Sequence, residues 1–88
     1  MKYNREEELL LVMQEECADV IQAITDIFLS GKTQQSAENL EKQLSDVFAV
    51  FKILVEENYV DPEYIVTQGD KKIEVSKKSM KNAFPKKG

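Results

Sequence analysis

The chain has 88 residues, with 16 acidic and 12 basic side chains, no His, no Trp and a single Cys. That length makes one domain with a modest core, so self-association is a natural way to cover long apolar helices. Composition excludes acid/base chemistry on His, a disulfide or thiol-pair redox motif and a Cys/His zinc site, and no apolar run approaches the ~18 residues a membrane span needs.

The net charge of −4 is unevenly spread. Residues 1–69 carry 5 basic and 14 acidic side chains, a net −9, while residues 70–88 carry 7 basic and 2 acidic, a net +5. A basic tail on an acidic body can bind nucleic acid or a membrane surface, or fold back on an anionic ligand held by the body. The lysines lack interleaved Arg or aromatic residues apart from Phe84, which disfavours nucleic acid. The N-terminus, with Lys2, Arg5, Glu6, Glu7 and Glu8, does not resemble a signal peptide, and the expected location is cytoplasmic.

Helix one is predicted from Asn4, a cap followed by three acids in the first turn, to Phe28 or Ser30, where Gly31 ends it. At 100° per residue Leu9, Met13, Cys17, Val20, Ile24 and Ile27 share a stripe, which makes Cys17 core filler rather than a nucleophile. Glu16 projects at the edge of that stripe, and Asp19 comes up beside it three residues on. Carboxylates held this close repel one another, so the pair expects a cation or a proton.

Gly31 to Gln35 reads as a polar turn, and helix two is predicted from Ser36 to Glu57 or Asn58. Leu40, Leu44, Val47, Phe51 and Leu54 form its main stripe; Ala49, Val50 and Ile53 spread the apolar surface round most of the circumference. A helix apolar on nearly every side is one covered on nearly every side, so a second subunit is expected to pack there. Against that background Asp46 is a charge beside Val50 and Ile53, and Gln43 a polar group beside Val47.

Asp61-Pro62-Glu63 then supplies a cap, a Pro at the first helical position and an acid in the first turn of a third helical region. Val66, Ile73, Met80 and Phe84 share one of its faces, and Lys71, Lys78 and Asn82 another. Gly69 is a place for a kink or a break. Pro85 to Gly88 reads as a fraying end.

Glu15-Glu16-x-x-Asp19 on the first helix and Gln43-x-x-Asp46 on the second resemble the signature of the all-α nucleoside triphosphate pyrophosphohydrolases, the MazG-like family, in which EExxE on one helix is followed by ExxD on the next. The resemblance extends to Leu44-Ser45-Asp46-Val47-Phe48, to the third-helix entry at Val60 to Ile65, and to Lys78-Ser79-Met80-Lys81-Asn82. It implies that Glu16, Asp19 and Asp46, with Gln43 at the fourth position, bind Mg²⁺, that Glu15 and Glu16 act in catalysis, and that Lys78 and Asn82 approach the nucleotide phosphates. The substrate it implies is a nucleoside triphosphate, a deoxynucleotide by preference, cleaved to monophosphate and pyrophosphate.

Elementary chemistry is compatible with this. Acids at i and i+3 on two antiparallel helices can face each other across a groove as oxygen ligands for a hard cation such as Mg²⁺. Two departures matter. Asp19 in place of Glu shortens one ligand by a methylene, and Gln43 offers a neutral oxygen where the pattern has a charge, so Mg²⁺ should bind more weakly. Taken singly, the Glu15-Glu16-Asp19 stretch reads as well as a solvated helix face and the Gln43-Asp46 pair reads better as one; together, on successive helices with apolar flanks, they favour the family fold. The expectation is therefore an all-α single domain over residues 1–88. Its antiparallel hairpin pairs with a symmetry mate into a four-helix-bundle core, as a homodimer or tetramer, with the third region lying across it. The alternative function is a catalytically silent helical dimer that binds a nucleotide or a protein partner.

Overall fold

The structure, a computed structural model, describes residues 2–80; Met1 and residues 81–88, which include Asn82, Phe84 and the end read as fraying, lie outside the described residues. Each helix starts at a polar cap. The Asn4 side chain accepts from the Glu7 backbone N–H at 2.8 Å, while the Glu7 carboxylate accepts from the Asn4 N–H at 2.9 Å. This reciprocal capping box opens α1 (Arg5–Ser30), with Glu6, Glu7 and Glu8 in the first turn, where the helix dipole favours them. Gly31, at φ 88°, ends α1 with its N–H on the Ile27 carbonyl, in a backbone region that costs glycine nothing.

The second helix, α2 (Gln34–Glu56), begins two residues before the Ser36 start read from the sequence. Thr33 is the cap: its hydroxyl accepts from the Ser36 N–H at 3.0 Å, and the Ser36 hydroxyl accepts from the Thr33 N–H at 2.8 Å. Ser36 thus takes the place inside the first turn that Glu or Gln usually holds in a capping box. At the other end the Asn58 N–H reaches the Val55 carbonyl and the Tyr59 N–H the Leu54 carbonyl, with Asn58 at φ 58°. That is a Schellman turn, closed by one of the few side-chain-bearing residues that tolerate the left-handed region.

Asp61 caps α3 (Pro62–Ser79) by accepting from the Glu63 and Tyr64 N–H groups, with Pro62 at the first helical position. Gly69 does not split it.

The protein is all-α, with α1 and α2 packed as a hairpin. Its core is thin: among the described residues Ala23, Val50 and Leu54 are the buried apolar ones. Leu9, Val20 and Ile27 of α1 and Leu40 and Val47 of α2 are half-buried around them. The packed face of α1 is therefore rotated from the stripe read off the sequence. Cys17 and Ile24 are exposed, so Cys17 is not core filler, and Glu16 lies within the seam rather than at its edge. Helix α1 is apolar over more than half its circumference, and periodicity alone does not say which part α2 takes. Nor does α3 lie across the hairpin: none of its described residues is buried, and α1 with α2 is the one helix pair in extensive contact.

Candidate functional site

The register of the hairpin decides which acids meet. Near the open end, Arg5 Nε donates to Glu57 Oε1 at 2.6 Å. Glu16 lies eleven residues further along α1, and Asp46 eleven residues back along α2. Eleven residues are close to three full turns, so antiparallel helices that meet at Arg5 and Glu57 meet again, on the same face, at Glu16 and Asp46. One turn closer to the loop the same register sets Asp19 against Gln43.

The electrostatics agree with that register. Burial first, and then the negative charges of Asp46 and Asp19, hold the Glu16 carboxyl above the ordinary carboxylate range, with Lys42 pulling the other way. Glu16 Oε2 is buried without a hydrogen-bond partner. An acid oxygen in that position is a cost to the fold unless a proton or a cation meets it. Asp46 is half-buried, and its Oδ2 accepts from Lys42 Nζ at 2.8 Å along α2. That bond, together with the field of Glu16 and Asp19, raises the Lys42 ammonium above its ordinary value.

The other expected residues are placed less tightly. Glu15 and Asp19 are exposed. Gln43 is half-buried, and its side-chain nitrogen donates to Asn39 Oδ1 at 3.3 Å. Lys78 is exposed on α3 and is not brought to the acids within this chain. Asn82 is outside the described residues. Among the described residues no three Asp, Glu, His or Cys side chains converge closely enough to hold an ion as they stand; Lys42 draws Asp46 along its own helix rather than across the groove.

The donor chemistry is that of a hard divalent cation, all oxygen and including a buried carboxylate oxygen with no partner, although the side chains would have to reorient to converge on one. Two hollows flank it along the hairpin. One of about 350 Å³ near the loop is polar, with Asp26, Ser30 and Asn39 in its wall. One of about 260 Å³ near the open end has Leu9, Val12 and Ile53 in its wall. Lys42 is the residue of this site that the sequence reading passed over, although its spacing of four from Asp46 was the available sign.

The opposite side of the hairpin is apolar. Cys17, Ile21, Ile24 and Phe28 of α1 and Leu44 and Phe48 of α2 are exposed there, Phe28 at 84%, Ile21 at 66% and Phe48 at 61%. Both stripes lie about 100° round from the residues that meet the other helix, and in antiparallel helices the same rotation carries both to one side. Asp19 and Asp46 are rotated the other way. Compared with protein-family models, with curated proteins and with solved structures, the chain matches none of them.

Proposed function

We propose that the protein is a divalent-cation-dependent nucleoside triphosphate pyrophosphohydrolase of the MazG-like kind, working as a dimer. The reading is carried by one observation, the buried and unpartnered Glu16 oxygen that faces Asp46 across the hairpin. The spacing of Glu15, Glu16, Asp19, Gln43 and Asp46, which resembles that family's signature, supports it.

Glu16, Asp19 and Asp46 would hold Mg²⁺, with the Gln43 side-chain oxygen as a neutral fourth donor. Bound there, the ion would polarise a phosphoryl oxygen and lower the pKa of a water. Glu15, exposed beside Glu16, would take the proton of the attacking water. Leu9, Val12 and Ile53, one turn and more from the acids toward the open end, offer an apolar floor for a base. Lys78 and Asn82 would meet the phosphates, the ammonium offsetting the charge of the leaving pyrophosphate and the amide donating a hydrogen bond. The exposed apolar side of the hairpin, continuous over both helices, would close on its copy in a four-helix core.

Release of pyrophosphate from a panel of nucleoside and deoxynucleoside triphosphates, with and without Mg²⁺, tests the reading. Cation-dependent release is expected, and none from any nucleotide would reject it. A catalytically silent dimer that binds a nucleotide or protein partner is the second reading. It is favoured by Gln43, which removes a charge from the ligand set, and nucleotide binding by calorimetry without turnover would establish it.

A further inference from the structure

Among the described residues of the two hairpin helices, one cation stands beside the acids of the groove. Between Arg5 and the end of α1 there is no basic residue, and α2 has only Lys42 and Lys52. Lys52 sits on the other side, its ammonium 5.8 Å from the centre of the Phe48 ring. Lys42 reaches Asp46 at 2.8 Å, and the register fixed by the Arg5–Glu57 bond sets Asp46 opposite Glu16 on the facing helix. Carboxylates near a seam between two helices repel one another, and an ammonium bonded to Asp46, which the register sets against Glu16, is placed to relieve that repulsion across the seam as well as along α2.

We propose that Lys42 is the built-in counter-cation of the groove: in the cation-free chain it neutralises carboxylates of both helices, and it competes with a divalent ion for Asp46. The second half of this inference rests on the metal-site reading above; the first does not. The Lys42 side chain is 67% exposed on a flexible stem, so nothing obstructs its rotation away from Asp46. A divalent ion that takes Asp46 sets the ammonium free, and a phosphate oxygen of the incoming nucleotide is the acceptor such an ammonium suits.

Thermal unfolding in the presence of a chelator tests the first half. Lys42→Met is made in the unaltered chain and in Glu16→Gln, with Lys52→Met as the control for the side-chain change itself. A counter-cation serving both helices gives a Tm loss for Lys42→Met in the unaltered chain at least about twice that in Glu16→Gln, because removing the facing carboxylate removes what the ammonium offsets. A pair that acts only along α2 gives the same loss in both backgrounds, and that result overturns the proposal while leaving the metal-site reading in place. Calorimetric titration with Mn²⁺ tests the second half. Lys42→Met is expected to bind roughly twofold to fivefold more tightly, the scale of one exposed ion pair, and unchanged or weaker binding overturns the competition. Absence of Mn²⁺ binding to either chain rejects the metal-site reading and the competition with it, and the unfolding result then decides the counter-cation role alone.

Discussion

The two sides of the hairpin are unfinished in opposite ways. On one, Glu16, Asp19 and Asp46 bring negative charge together and leave a buried oxygen with no donor; on the other, Ile21, Phe28, Leu44 and Phe48 leave apolar surface open to water. Each deficiency defines what would remedy it. Charge in a half-buried seam is relieved by a proton or, as we propose, a small hard cation, whereas a broad apolar stripe on two neighbouring helices would be covered by another apolar stripe. A two-helix unit with a core of Ala23, Val50 and Leu54 carries both on the same rods, so altering one side should leave the other intact.

The largest effect is expected at Glu16. On the proposed function, Glu16→Gln should lower cation-dependent pyrophosphate release about a hundredfold or more, because it would remove the best-placed charged ligand, while the association state measured by light scattering stays unchanged. A variant that lost assembly together with turnover would mean that the two sides are not independent. Next in size is Phe48→Glu on the apolar side. A charge in the centre of the proposed interface should weaken self-association about thirtyfold (roughly 2 kcal/mol). Its effect on a separated hairpin should be small, because Phe48 is 61% exposed there. Sedimentation at several concentrations reads this, and equal association of both chains would remove the apolar side as an interface.

Much of this was legible beforehand, for identifiable reasons. Asn4, Gly31 and the Asp61-Pro62 pair mark helix ends because their chemistry is local, and the i, i+3 spacing of Glu16 and Asp19 follows from helix geometry alone. With a short loop and two helices of similar length, Glu16 had to come near Asp46. What sequence could not decide was which flank of α1 would meet α2, since Leu9 and Ile27 are no more apolar than Leu10 and Ile24; hence Cys17 was misjudged as interior. Lys42 was passed over because a lysine among acids on a helix reads as surface. The course of α3 was not legible because its periodicity does not say what its apolar face meets, and among the described residues it has no extensive contact with α1 or α2.

Gln43→Glu sharpens the contrast by overloading the charged side. With a fourth carboxylate opposite Asp19, Mn²⁺ affinity should rise roughly tenfold, and Tm in chelator should fall, since the added charge has no counter-ion. Opposite signs with and without the cation are the expected signature. A Tm that falls equally in both conditions would show that residue 43 does not face the ion.

The smallest effect expected is the pH dependence that Glu16 adds to stability. Its folded-state pKa lies above the unfolded value, mainly through burial and then through Asp46 and Asp19. The folded chain therefore binds the proton more tightly than the unfolded one. As pH falls from neutrality through the raised folded value toward the ordinary carboxylate range, this group makes the fold more stable; above that window its charge is a liability. In chelator at neutral pH, Glu16→Gln should consequently melt above the unaltered chain, and the gap should close on acidification, when the native carboxyl becomes as neutral as the amide. Saturating Mn²⁺ should reverse the order, because the cation stabilises the ionised acid and has less to hold in the amide. If the unaltered chain is the more stable one at neutral pH without a cation, then Lys42 already satisfies Glu16 in full, and the groove has no need of an added ion.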